Sequence, residues 1–152
     1  MLNLGSFDIS ASALTAQRVR MDVAASNIAN ADVTRGRLVN GEWVPYQRKM
    51  VVLESRKPSG FDKALKSALG QSGQSVGRGV KVSGIVEDRT PFKRVYDPTH
   101  PDANEEGYVL MPNVDILKEM VDFMSATRSY EANVTAINAS KSMYMKALEI
   151  GK

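Results

Sequence analysis

Apolar residues recur along the last forty positions of the chain with alternating spacings of four and three. Only Thr127 and Lys141 interrupt this stripe. Its apolar members are Ile116, Met120, Phe123, Tyr130, Val134, Ile137, Tyr144 and Leu148. Such spacing is the a and d pattern of a heptad repeat, in which a polar residue at one position can select the alignment of the partner. The pattern predicts one long helix over residues 113–151, whose apolar stripe we call the C-terminal seam.

Boundary residues flank this predicted helix. Pro112 supplies a break and Asn113 an N-cap. Asp115 places negative charge in the first turn, and Gly151 stands where a helix would stop. At ~1.5 Å per residue the helix would be on the order of 55 Å long, whereas a compact domain of this length has a radius of gyration of about 15 Å. The C-terminal seam therefore needs a partner, either the other end of the chain or another subunit.

A second heptad pattern predicts a helix over residues 7–30. Its two seven-residue lines consist of Ile9, Ala16 and Val23, and of Leu14, Met21 and Ile28. Two heptad-bearing helices at the two ends of one chain pair most simply with each other and with copies of themselves. Ordinary packing of two helices inside a monomer is the alternative. We expect these six residues and the apolar members of the C-terminal seam to form an assembly interface.

Turn-forming residues follow the first helix. The pattern predicts that the helix frays into a polar segment that Gly36 ends. The polar residues of this segment are Ser26, Asn27, Asn30, Asp32 and Thr34.

The periodicity between the helices changes to that of strands. Residues 43–55 have strand character with Pro45 near the start, and residues 80–87, 92–96 and 108–111 are further predicted strands. Residues 61–69 could form a short helix. Residues 70–79 contain four glycines and no lysine, which indicates a flexible loop and not a phosphate-binding loop. We predict an α+β fold with a helical segment at 1–35, a small β-rich middle domain at 36–111 and a long helix at 112–152.

Composition narrows the possible functions. The chain has 152 residues, 43% of them hydrophobic, enough for one domain with a modest core. Without cysteine there is no disulfide framework and no thiol nucleophile. The net charge of +3 is scattered along the chain, which argues against nucleic-acid binding. Neither a cleavable secretory signal nor a membrane-spanning apolar run is expected.

No set of residues predicts catalysis or a cofactor. His100 is the single histidine, so one chain cannot build a site of several imidazoles or a Ser-His-Asp arrangement. A weak cation site with Asp97 and Asp102 is conceivable, but ordering of a loop is the simpler role. The tripeptide of residues 100–102 also matches that of J-domain co-chaperones, which joins two antiparallel helices, whereas here strand-like segments flank it. We therefore expect a chain that is not an enzyme.

The segment at the end of the first helix resembles a signature of bacterial flagellar rod and hook proteins. The matching residues are Ser26, Asn27, Ile28, Ala29, Asn30, Ala31 and, shortly after, Thr34. Residues 130–133 and 139–141 resemble the terminal helix of the same superfamily. Residues 79–82, 91–98, 100–102, 107–109 and 112–114 are similar to its proximal-rod family. The resemblance covers nearly the whole chain.

This resemblance implies a non-enzymatic building block of the flagellar basal body. Proteins of this kind leave the cell through the flagellar type III export apparatus without a cleaved signal. Their terminal helices assemble with other rod proteins and with copies of themselves into the periplasmic rod that transmits torque. Composition and the candidate residues lead us to expect no cofactor, no nucleic acid and no membrane span. A cytoplasmic adaptor or co-chaperone built on a helical hairpin is the alternative, and it would be a stable monomer or a discrete dimer.

Overall fold

The computed structural model describes residues 5–56, residue 68 and residues 79–150. Two long helices, α1 (Gly5–Ala29) and α2 (Ile116–Ile150), enclose six short strands in sequence order. The predicted α+β class is confirmed, because both ends are helical and the region between them contains short antiparallel strands. All but residue 68 of the short helix predicted at 61–69, all but residue 79 of the loop predicted at 70–79, and the stop at Gly151 lie outside the described residues.

Helices α1 and α2 pack antiparallel along each other. Phe7, near the start of α1, stacks on Tyr144 near the end of α2 with ring centroids 5.2 Å apart. Thr127 donates from Oγ1 to the Sδ of Met21 at 3.3 Å, further towards the strands. The residues that α1 buries include two alanines, Ala16 and Ala24.

Helix α2 begins later than the sequence pattern predicted. The Oδ1 of Asp115 accepts hydrogen bonds from the backbone N–H groups of Leu117 at 3.1 Å and Lys118 at 3.3 Å, so Asp115 is the N-cap. The prediction that Asn113 caps this helix is wrong. Its amide group is used elsewhere, because Asn113 accepts from the backbone N–H of Arg48 and donates to residues at the end of a neighbouring hairpin.

The strands form three separate two-stranded antiparallel sheets. They are β1 (Arg37–Val39) with β2 (Glu42–Val44), β3 (Lys49–Ser55) with β4 (Val80–Glu87), and β5 (Lys93–Tyr96) with β6 (Tyr108–Met111). The predicted strands at 80–87 and 108–111 are confirmed, and the one at 92–96 forms from residue 93. The single strand predicted at 43–55 is instead divided between β2 and β3, with Pro45 in the gap.

The β1–β2 hairpin was missed, although the sequence contains a signal for it. Asn40 and Gly41 both have positive φ values, 52° and 91°, as a two-residue hairpin turn requires. The pair Asn-Gly is the strongest short-range indication of such a turn. Gly36 comes just before β1, and a Cβ at this position would lie 2.6 Å from the backbone nitrogen of Tyr46. Only glycine lets these two chain segments approach so closely.

The core of the described residues is small and lies where the strands meet the helices. Its buried apolar residues are mostly alanine and valine: Ala16, Val23, Ala24, Ala31, Val109, Val114 and Ala126. Two polar residues, Asn27 and Glu119, are buried among them with 0% and 2% of their surface exposed. The core has few large apolar side chains. The buried polar groups of Asn27 and Glu119 are therefore a main structural element of the region where the strands meet the helices.

Candidate assembly interface

Asn27 of the signature connects three elements of the fold. Its Nδ2 donates to the carbonyl oxygen of Lys49 at 2.8 Å and to Oε2 of Glu119 at 2.9 Å. Its Oδ1 accepts from the backbone N–H of Lys49 at 2.9 Å and from the hydroxyl of Tyr46 at 3.0 Å. The amide group is therefore fully hydrogen-bonded, and it attaches the end of α1 to the start of β3 and to the first turns of α2.

This position corrects the prediction that the first helix frays at Ser26 and Asn27. Both residues lie inside α1, which continues to Ala29. The helix ends in the following turn, where Asn30 donates from Nδ2 to the carbonyl oxygen of Ser26 at 2.7 Å. The polar side chain of Asn27 binds partners that are far away in sequence. The interpretation of Asn27 as a turn former overlooked that possibility.

Arg48 completes the group around Asn27. Its Nε donates to Oε1 of Glu119 at 2.6 Å, and its Nη1 donates to Oδ2 of Asp88 at 3.2 Å. The side chains of Arg48 and Glu119 are only 13% and 3% exposed. Burial on its own would lower the pKa of Arg48, but the hydrogen bonds and charges of Glu119 and Asp88 outweigh it and raise that pKa. The guanidinium therefore stays charged beside these two carboxylates and that of Asp122, whose Oδ2 lies 3.7 Å from Nη2.

The turn after β4 belongs to the same group. Asp88 donates its backbone N–H to the carbonyl oxygen of Arg48 at 2.8 Å, and Asn113 donates from Nδ2 to the carbonyl oxygens of Asp88 and Thr90. Hydrogen bonds from Thr90, assisted by Arg48, lower the pKa of Asp88. We call this set the polar junction, and its residues are Asn27, Tyr46, Arg48, Lys49, Asp88, Asn113 and Glu119.

Thr34, the last signature residue, connects the segment after α1 to a second part of the chain. Thr34 donates from Oγ1 to Oδ2 of Asp102 at 2.8 Å, and Arg35 forms an ion pair with the same carboxylate. His100 accepts the backbone N–H of Asp102 at its Nδ1, at 3.0 Å. The loop of residues 97–107 joins β5 to β6, so the tripeptide of residues 100–102 does not lie between two helices.

The predicted interface residues divide into three groups by exposure in the lone chain. On α1, Ala16 and Val23 are buried, Leu14, Met21 and Ile28 are half-buried, and Ile9 is exposed. On α2, Tyr130, Val134, Ile137 and Tyr144 are half-buried, whereas Ile116, Met120, Phe123 and Leu148 are exposed. The pairing of α1 with α2 thus covers only part of the predicted interface, and much of the C-terminal seam remains accessible.

Sequence reasoning missed two features of this region. The first is the pair of Arg48 and Glu119, for which the sequence contains no periodic signal. The second is a set of exposed apolar residues on α2 that lies off the C-terminal seam and consists of Leu117, Val121 and Met124. Their spacing of four and three was a usable signal, because it repeats the helical period on another face.

Two further properties of the described residues bear on possible functions. They contain no group of three or more His, Cys, Asp or Glu side chains arranged to hold a metal ion. Across residues 5–56 and 79–150, neither helix combines the length and the apolarity needed to cross a membrane.

Comparison with known proteins gives consistent matches at both ends of the chain. Residues 7–36 match the family described as "Flagella basal body rod protein", and residues 105–150 match "Flagellar basal body rod FlgEFG protein C-terminal". The flagellar basal-body rod protein FlgC of Bacillus subtilis is 67% identical over 147 residues, which cover 97% of both chains. The FlgC proteins of Escherichia coli O6:H1 and Borreliella burgdorferi are 46% and 40% identical, over 100% and 95% of both chains.

Proposed function

Because the chain belongs to the FlgC family of flagellar basal-body rod proteins, and so is a structural subunit of the proximal rod, we propose that its terminal helices make the assembly contacts. The partners are copies of itself and other rod proteins. The assembled helices form part of the periplasmic shaft that transmits torque. We further propose that the chain reaches this position through the flagellar type III export apparatus, without a cleaved signal.

The observation that carries the assembly proposal is the exposure of the C-terminal seam. Ile116, Met120 and Phe123 are exposed in the lone chain although they continue the stripe that contacts α1 further along the helix. A contiguous apolar strip on one helix is typical of a surface that another protein covers. A neighbouring subunit in the rod would supply that cover.

The length of α2 supports the mechanical part of the proposal. Its 35 residues span on the order of 50 Å, so a seam along it can contact a neighbour over many turns. A twisting load would then be distributed over many side-chain contacts, with no single contact carrying it alone.

The composition of the core supports passage through an export apparatus. The buried apolar residues of the described chain are alanines and valines, which bury little area each. Since hydrophobic stabilisation grows with the apolar area buried, such a core opposes unfolding only modestly. Contacts formed after export would then add the stability that the lone chain lacks.

The alternative function as a cytoplasmic adaptor or co-chaperone is not supported. The relatives that match over nearly the full chain are flagellar rod proteins. The curated relatives are structural proteins, and enzymatic activity is not part of the proposal.

We test assembly with Met120→Asp, compared with Ala136→Asp. Met120 belongs to the C-terminal seam and is 50% exposed, so a carboxylate there should leave the lone chain folded. Ala136 is exposed on another side of the same helix. In a strain that lacks its own copy of the gene, Met120→Asp should abolish swimming and remove rods from purified basal bodies, and Ala136→Asp should retain both. Val134 and Ile137 are less suitable sites, because they are half-buried in the chain itself.

Circular dichroism of the purified Met120→Asp chain controls for folding, and it should match that of the unchanged chain. Normal rods in the Met120→Asp strain would contradict the proposal that the C-terminal seam is an assembly interface.

A further inference from the structure

We propose that neighbouring copies of this chain dock side by side through two different surfaces. The outward face of α2 in one copy lies on the outward face of α1 in the next. This inference rests on the proposed function, since it specifies which surfaces meet when copies assemble. It concerns the exposed faces of the two helices. The C-terminal seam runs along the adjoining side of α2, where Met120 lies one turn from both Leu117 and Met124.

The α2 outer face begins with large apolar residues. Leu117, Val121 and Met124 are 74%, 60% and 53% exposed. Leu117 precedes the fully buried Ala126 by nine residues, which is two and a half helical turns, so the two point in opposite directions. The same face continues through Arg128 and Glu131, so an apolar patch is followed by a positive and then a negative charge.

The α1 outer face has a complementary character. Six exposed residues lie along it, namely Ala11, Thr15, Arg18, Asp22, Ala25 and Ala29. Ala25 follows the buried Ala16 by nine residues and so lies opposite the side of α1 that buries Ala16. Alanines at the end near the strands leave room for large side chains from a neighbour, and Arg18 and Asp22 follow at the next two turns.

The register within one chain predicts which residues would meet. Asn27 contacts Glu119, Met21 contacts Thr127 and Phe7 contacts Tyr144. A second copy set beside the first without a shift along the helix axis keeps this antiparallel register across the outer faces. The facing pairs would then be Ala29 with Val121, Ala25 with Met124, Asp22 with Arg128 and Arg18 with Glu131.

These pairs match in both size and charge. Two alanines of one copy face two large apolar residues of the next, and both charged pairs bring opposite signs together. Within the described part of the chain, Arg18, Asp22, Arg128 and Glu131 form no ion pair. A neighbouring copy in this register would give all four an oppositely charged partner.

Charge also selects against the two nearest alternative registers. A shift of one helical turn in one direction would place Asp22 opposite Glu131. A shift in the other direction would place Arg18 opposite Arg128. Like charges in contact disfavour both, so the pattern specifies one alignment by repulsion as well as by attraction.

The two outer faces are different exposed surfaces of the same chain, which determines the kind of assembly. A copy that receives a neighbour on its α1 outer face still presents its α2 outer face to the next copy. Such a heterologous contact repeats, and it closes into a ring or continues as a helical filament. Repetition of this kind is what a rod requires.

Cysteine crosslinking tests the contact, because the chain has no cysteine of its own. The test variant carries Ala25→Cys and Met124→Cys. The matched control carries Ala25→Cys and Ser142→Cys, where Ser142 is exposed on the same side of α2 but about 27 Å further along it. Basal bodies from each motile strain are oxidised, and the chain is detected after electrophoresis without reductant.

We expect a ladder of dimers and larger species from the test variant that collapses to monomer on reduction, and monomer alone from the control. Monomer alone in both, or equal ladders in both, from basal bodies that contain the chain would overturn the docking register and leave the proposed function intact. Absence of the unchanged chain from purified basal bodies would overturn the proposed function itself.

Charge reversal provides a second test that needs no crosslink. Asp22→Arg and Arg128→Glu should each reduce swimming several-fold, because each sets like charges in contact across the interface. The chain that carries both substitutions should regain most of the lost swimming. Because the two residues point away from each other within one chain, recovery supports a contact between copies, and additive loss in the double variant would overturn it.

Discussion

The polar junction and the outer faces both involve α1 and α2. The side chains of the polar junction bind partners inside the chain, whereas those of the outer faces are exposed. In the described residues, every buried side-chain nitrogen or oxygen has a hydrogen-bond partner, and those of Asn27 and Glu119 lie within the chain itself. On the α2 outer face, Leu117 and Val121 are exposed to solvent. The buried polar atoms of the polar junction are hydrogen-bonded within the single chain. The α2 outer face has apolar surface that only a partner can cover.

This difference indicates a division of roles. The polar junction determines the register between α1 and α2, because a one-turn slip would move Glu119 by about 5.4 Å and break its bonds to both Asn27 and Arg48. The outer faces and the C-terminal seam then have defined positions relative to each other. A subunit that must fit several neighbours needs that definition before assembly, and hydrogen bonds provide more directional control than a small apolar core does.

The largest expected effect comes from Arg48→Met, which removes the partner of a buried carboxylate. Glu119 would retain its bond from Asn27 but lose the guanidinium, and breaking a buried pair in this way costs about 3 to 5 kcal/mol of unfolding free energy. Chemical denaturation followed by circular dichroism measures the loss. Arg18→Met on the α1 outer face is the matched control and should change stability by less than about 0.5 kcal/mol.

A second substitution separates charge from packing in the same pair. The chain with both Arg48→Met and Glu119→Met should recover part of the stability lost by Arg48→Met alone, since the most buried carboxylate is removed together with its partner and only the more exposed Asp88 and Asp122 lose an ion pair. Equal losses for Arg48→Met and Arg18→Met would remove the distinction between the polar junction and the outer faces.

A smaller effect is expected from a comparison of two asparagines. Asn27→Ala leaves the backbone N–H of Lys49 and an oxygen of Glu119 without a bond inside the chain, which should cost about 2 kcal/mol or more. The side chain of Asn133, half-buried further along α2, bonds only to the carbonyl oxygen of Ser129. Asn133→Ala should cost less than about 0.5 kcal/mol. Amide hydrogen exchange at Lys49 should accelerate in Asn27→Ala alone.

The smallest expected effect concerns Asp102, which accepts a hydrogen bond from Thr34 of the signature. Hydrogen bonds from Arg35 and then from Thr34 lower the pKa of Asp102 in the folded chain. A lowered pKa contributes stability above the unfolded-state value of about 3.9, and this contribution is lost as the pH falls through the folded-state value. The stability difference between the unchanged chain and Asp102→Asn should thus be present at pH 7 and shrink below about pH 4. A difference that grows on acidification would contradict this assignment.

Local patterns along the chain predicted much of the fold. Heptad spacing predicted both helices, and strand character predicted β4 and β6 with the bounds that the structure shows. The Asn-Gly turn between β1 and β2 was equally readable, so missing that hairpin was an error of interpretation. The identity of the N-cap was harder to predict, because Asn113 and Asp115 are both good caps and the choice depends on a distant backbone N–H of Arg48.

The sequence by itself determined the two helices, the short strands between them and the membership in a flagellar rod family, since periodicity and motifs are local properties. Only the tertiary structure decided that Asn27 is buried and that Arg48 pairs with Glu119. It also decided which seam residues α1 covers in the single chain. The partners Asn27 and Glu119 are 92 positions apart in sequence. Whether a polar side chain is a turn former or a buried connector depends on what the fold brings next to it, and no local pattern contains that information.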